Sequence, residues 1–157
     1  METYTVSFFG HRQLSDPAGI QRRLDKLLYE LITRKDYVEF LVGRDGDFDL
    51  LAASAVRRAV KRCDLGNTAL VLVLPYMKAE YRDNEKELLR FYDEIEICPQ
   101  SAQAHFRAAI TVRNRCMADR SDLVICCVEH KGGGAYSAAE YARSRGTAVV
   151  NLAENSI

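Results

Sequence analysis

The sequence predicts an α/β fold: a single Rossmann-like domain over residues 1–157, with a mainly parallel sheet flanked by helices on both faces. Three observations predict it. Short apolar runs alternate with stretches of helical period, as in βαβ units joined by right-handed crossovers. Two runs, Thr68 to Leu74 (TALVLVL) and Leu123 to Val128 (LVICCV), are apolar throughout, as strands covered on both faces are. A chain of 157 residues is also long enough to bury one full core without staples, and it carries no internal repeat, linker or low-complexity tract.

Tyr4 to Phe9 reads as the first strand, ending at Gly10-His11-Arg12. Ser15-Asp16-Pro17 supplies a cap and a first-turn proline for a helix to Arg34, with Ile20, Leu24, Leu27, Leu28 and Leu31 on one face. Val38 to Val42 is the second strand, followed by the turn-like Gly43 to Asp47 and a helix from Phe48 to Cys63. Thr68 to Leu74 ends at Pro75-Tyr76. A helix is predicted over Asp83 to Phe91, a short strand over Glu94 to Cys98, and a long helix over Ala102 to Ala118. The strand Leu123 to Val128, a helix from Tyr136 to Arg145 and a last strand from Thr147 to Leu152 complete the order.

Lys plus Arg and Asp plus Glu number 22 each, so the formal charge is zero. That balance argues against nucleic acid as a partner, because strand binding draws on an excess of basic residues. The run Arg57, Arg58, Lys61, Arg62 reads as the solvated face of a helix. No run of 18 apolar residues is present, which excludes a transmembrane helix and a membrane partner. The start METYTVSFFGHR lacks the basic region and cleavage site of a signal peptide. Five cysteines, an odd number without a C-x-x-C pair, predict a reduced, cytoplasmic chain without a metal site.

In open parallel sheets, ligands bind beyond the carboxyl ends of the strands. Four such ends carry Gly10-His11-Arg12, Gly43 to Asp49, Pro75-Tyr76 and Gly132-Gly133-Gly134. The triple glycine, between a buried strand and a helix, offers bare N–H groups to a phosphate. Arg113 shares a helical stripe with Phe106, Ile110 and Met117, so a cation stands where the pattern calls for an apolar residue. It is read as aimed into a cleft. His11 and Arg12 are placed to donate to a ligand, and Gly43 to let one approach; Asp45 and Asp47 read as turn residues. The dinucleotide fingerprint G-x-G-x-x-G is absent.

Arg113-Asn114-Arg115-Cys116-Met117, followed by Gly133-Gly134-Ala135-Tyr136-Ser137-Ala138-Ala139-Glu140, resembles the Lonely Guy (LOG) phosphoribohydrolases. Their hallmark is R-K-x-x-M, then P-G-G-x-G-T-x-x-E. By position, Arg113 and Glu140 match the essential arginine and glutamate, Gly133 and Gly134 the glycine pair, and Ser137 the threonine. Asn114 stands for the lysine, Lys131 or Gly132 for the proline, and Tyr136 for the third glycine. Phe9-Gly10-His11-Arg12, Gly46-Asp47-Phe48-Asp49 and Arg113 to Met117 resemble the wider SLOG group, which includes the DprA/Smf and YpsA-like proteins.

The resemblance implies that a nucleotide or nucleotide-derived ligand is held by Gly10, His11, Arg12, Gly43, Asn114, Gly132, Gly133, Gly134 and Ser137. Arg113 and Glu140 would be catalytic, cleaving the N-glycosidic bond of a nucleoside 5′-monophosphate without metal or cofactor. A non-catalytic nucleotide sensor acting on a protein partner is the alternative, and relatives imply a homodimer. The residues leave both open.

Overall fold

A computed structural model of the chain describes residues 1–154; residues 155–157, included in the expected domain, lie outside the described residues. Six strands form one parallel sheet: β1 (Thr3–Gly10), β2 (Tyr37–Val42), β3 (Thr68–Leu74), β4 (Glu94–Ile97), β5 (Leu123–Cys127) and β6 (Ala148–Asn151). Their order is β4-β3-β2-β1-β5-β6, and every neighbouring pair is parallel. The order reverses at β1, so a crevice opens between the carboxyl ends of β1 and β5. Those ends are tied directly, the His11 N–H donating to the Cys127 carbonyl at 3.3 Å.

Period-two alternation divides the core between the two faces. Val6 and Phe8 of β1, Phe40 of β2 and Leu70 and Leu72 of β3 pack under α1 (Pro17–Arg34) and α2 (Asp47–Cys63). Phe9, Leu41, Val71 and Val124 face the opposite layer, α6 (Ala109–Arg120) and α7 (Gly133–Ser144). In α1, the Asp16 carboxylate accepts from the Gly19 N–H at 3.1 Å and Pro17 opens the first turn, as the sequence predicts. Ile20, Leu24, Leu28, Leu31 and Ile32 bury its apolar face. Among the described residues, no helix is long and apolar enough to cross a membrane.

Three predicted helices differ from those observed. The one over Asp83 to Phe91 is two short pieces, α3 (Ala79–Asp83) and α4 (Glu85–Phe91), meeting at Asn84. The helix predicted from Ala102 to Ala118 is broken. A single turn, α5 (Pro99–Ala102), is pinned by the buried Ser101 hydroxyl, which donates to the Pro75 carbonyl at 2.6 Å. An irregular segment, residues 103–108, then leads to α6. Phe106, expected on an inward stripe, therefore lies outside the helix and is 68% exposed. Finally, α7 starts at Gly133 rather than Tyr136, so the last two of the three glycines belong to its first turn.

Candidate functional site

The cleft between the β1 and β5 ends has a volume of about 230 Å³. Gly10, His11, Arg12, Gly43, Arg113, Asn114, Gly133 and Gly134 line it, together with Asp45 and Asp49. The topology thus brings together most of the residues singled out in the sequence. Their local chemistry differs from the expected one.

Arg113 is 2% exposed and committed within the protein. One terminal nitrogen donates to Asp45 Oδ2 at 2.5 Å and to Asn114 Oδ1 at 3.0 Å, the other to the Val73 carbonyl at 3.1 Å, and Nε to Asn114 Oδ1 at 3.1 Å. A guanidinium carries five N–H donors, so these bonds leave one for anything in the cleft. Gly43 serves this arrangement: a Cβ there would meet Arg113 Nη1 and Asp45 Oδ2, each at 2.9 Å. Gly10 likewise makes room for a neighbour, since a Cβ would fall under 3.0 Å from the buried Phe48 ring. At both positions packing within the protein accounts for the glycine.

Behind the ion pair, Asp49 Oδ2 accepts from the Asp45 N–H at 2.9 Å. Burial pushes the Asp49 carboxyl up to about 6; the Asp45 amide and Arg113 oppose the rise, and the Asp45 charge adds to it. In the sequence Asp45 and Asp49 are legible only as members of an acidic turn.

The glycine loop is different. Gly132 and Gly133 take φ of +126° and +84°, values L side chains rarely adopt, and a Cβ on Gly132, Gly133 or Gly134 would meet nothing within 4 Å. These glycines open onto space at the start of a 12-residue helix, whose first N–H groups lack helical partners. Beside the loop, the His11 and His130 rings stack at 4.0 Å and 4°, and the His130 N–H donates to His11 Nε2 at 3.4 Å. Burial and the neighbouring His130 hold His11 below the usual imidazole range, against Glu129. Ser15 ties the same loops through its N–H and hydroxyl to Glu129 Oε1, at 3.2 and 2.8 Å. Nothing in the sequence marks His130 as a neighbour of His11; only the fold brings the two rings together.

Glu140 is not in this cleft. It is exposed, pairs with Arg143 one turn on at 2.7 Å, and lines a separate shallow groove with Lys131 and Tyr136. Arg113 and Glu140 thus line different depressions, and the carboxylate does not face the cation it was expected to work with. Ser137 is exposed and borders a third, smaller cavity with Asn114 and Gly134, about 30 Å³ in volume.

One further group belongs to the rim. The helix α6 runs antiparallel to the strands into β5, so its start and the segment before it lie at the carboxyl edge. Ile110 in its first turn lines the cleft. Just before it, the exposed Phe106 ring stacks on His105 at 4.7 Å and lies 5.8 Å from the Arg107 guanidinium. The helical pattern hid this cluster by assigning Phe106 to the core.

The parallel sheet, its order and its rim define a SLOG-like Rossmann fold. No family model matches the chain, and no curated protein matches it in sequence. Among solved structures it is similar to DNA processing protein A from Helicobacter pylori, described for its unique single-stranded DNA binding mode. The TM-score is 0.63 at 18% identity, over 93% of this chain and 63% of that one. It is also similar to DNA processing protein A (DprA) from Streptococcus pneumoniae, with TM-score 0.64 at 15% identity, over 94% and 49% of the two chains. The chain therefore spans between about half and two thirds of the length of these neighbours.

These neighbours overturn two expectations: that the ligand is a nucleotide or nucleotide-derived molecule, hydrolysed or sensed, and that the charge balance argues against nucleic acid as a partner. The physical reasons are visible in the rim. Net charge is a property of the whole chain, whereas Arg12 is exposed at the cleft, Lys131 in the separate groove and Arg107 beside Phe106, and none of the three forms an ion pair among the described residues. Arg113 pairs with Asp45 at the cleft, and Glu140 pairs with Arg143 on the surface.

Proposed function

We propose that the chain binds single-stranded DNA across the carboxyl rim, as a single unit. Backbone phosphate sits on the open glycine loop, and an unpaired base stacks on Phe106. What supports this reading is that an open glycine loop and an exposed aromatic ring both fall at the carboxyl edge of the sheet. The loop of Gly132 to Gly134 opens onto space at the positive end of α7, where no side chain among the described residues caps the helix, suited to an anion. Phe106, with Arg107 and His105 beside it, offers an exposed π-face with a cation next to it. Arg12 and Lys131 add charge that draws a polyanion without reading its sequence. The single-stranded DNA binding described for the Helicobacter pylori neighbour supports the choice of strand.

Fluorescence anisotropy with a labelled oligothymidylate tests it. Base–aromatic stacking contributes about 1–3 kcal/mol per base, so Phe106→Ala should weaken binding by about tenfold or more without loss of folding. Duplex DNA of equal length should compete poorly, because its bases are not free to stack. Equal affinity of wild type and Phe106→Ala, or no binding by either, would refute the proposal.

A further inference from the structure

Two loops meet beside the glycines and bring two imidazoles face to face. The first follows β1 and carries His11; the second follows β5 and carries Glu129, His130 and Lys131. Both are fixed from several sides. The His11 main-chain N–H donates to the Cys127 carbonyl at 3.3 Å, and its ring accepts from the His130 N–H at Nε2, at 3.4 Å. Glu129 is held by the two bonds from Ser15. The rings stack at 4.0 Å and 4°, the inner one, His11, half-buried and the outer one, His130, exposed. Burial, and then the His130 charge, keep His11 below the usual imidazole range, so at neutral pH its Nε2 retains the lone pair that this bond needs.

The stack stands at a divide. His11 lines the cleft between the β1 and β5 ends, whereas His130 lines the neighbouring groove, about 610 Å³ in volume, with Lys131, Tyr136 and Glu140. His11 covers one face of the His130 ring, so the free face lies on the groove side. Gly132 follows two residues later and opens the proposed phosphate seat, with the exposed Lys131 between them.

We infer that His130 is a second base platform: one base of a single strand whose phosphate lies on Gly132 to Gly134 enters this groove and stacks on the outer face of His130. The inference rests on the reading of the carboxyl rim as a single-stranded DNA site. Three physical features favour it. An imidazole offers the kind of π-face on which unpaired bases stack. The platform is pre-organised, since His11 and the Ser15–Glu129 bonds hold it before a ligand arrives, which lowers the ordering cost of binding. The groove volume lies within the range of about 300–1,000 Å³ found for small-molecule sites, so it admits a base. A strand spanning both platforms contacts the rim through two separate bases, at Phe106 ahead of α6 and at His130 ahead of α7.

Fluorescence anisotropy compares two labelled probes of equal length, an oligothymidylate and an oligomer of abasic sugar-phosphate. His130→Ala should weaken oligothymidylate binding by about fivefold or more and leave the abasic oligomer bound as by wild type. His130→Tyr, which restores a ring over His11, should recover most of the loss. A role for His130 confined to shaping the glycine loop weakens both probes equally, and that outcome overturns the inference. So does an unchanged oligothymidylate affinity in His130→Ala while Phe106→Ala still weakens it, a result that leaves the DNA reading standing. No binding of oligothymidylate by wild type overturns both.

Discussion

Replacing Arg113 by methionine separates a structural arginine from a ligand-binding one. The change keeps an unbranched side chain of similar reach and removes the guanidinium. It strands Asp45 Oδ2, the Val73 carbonyl and Asn114 Oδ1, all of which now accept from it. Breaking a buried ion pair by removing one partner costs about 3–5 kcal/mol. The Asp45 side chain is 30% exposed, so its stranded charge keeps part of its hydration, and about 2–4 kcal/mol is the better figure. For a chain of this size that lowers the melting temperature by roughly 5–15 °C. Urea unfolding followed by circular dichroism at pH 7 measures it directly. A loss below about 1 kcal/mol would show that the Arg113 bonds contribute little to folding, and would refute a structural role for this arginine.

Other outcomes follow from the same geometry. The Asp49 carboxyl, raised from 3.8 to about 6, binds its proton more tightly in the folded chain, so its contribution is fully present below pH 4 and is lost as pH rises to 6. Asp49→Asn keeps an acceptor for the Asp45 N–H; relative to wild type it should gain about 2–3 kcal/mol at pH 8 and nothing at pH 3, read from paired denaturant curves. Gly10→Ala forces a Cβ into the buried Phe48 ring and should cost about 3 kcal/mol or more by the same assay. Gly132→Ala adds a Cβ that meets nothing within 4 Å, so only backbone strain of about 1–3 kcal/mol is expected, with DNA affinity falling as the loop amides turn away.

The order of strands and helices was legible because each signal is local. A continuous apolar run such as Thr68 to Leu74, or the Asp16-Pro17 start of α1, needs no knowledge of distant partners. The gathering of the glycines on one rim was legible too, because parallel topology puts every strand's carboxyl end on the same side. What was hidden depends on contacts between distant segments. Arg113 in an apolar stripe signals a constrained cation, but only the fold shows that Asp45 satisfies it. Gly10 and Gly43 look like ligand glycines until Phe48 and Arg113 are seen to fill the space beside them. Phe106 is misplaced by the sequence pattern because helical spacing continues through residues 103–108, where the anchoring of Ser101 ends α5 early. The partner class was obscured by counting charge over the chain instead of along its rim.

Photo-cross-linking tests the central claim most directly. An oligothymidylate carrying 5-iodouracil at one position is bound to the protein, irradiated, and the attached peptide is identified by mass spectrometry. Single-stranded DNA lying across the carboxyl rim predicts attachment within residues 103–108, at Phe106 or His105, and loss of that product in Phe106→Ala. Attachment confined to the opposite, amino edge of the sheet, or an unchanged yield in Phe106→Ala, would contradict it.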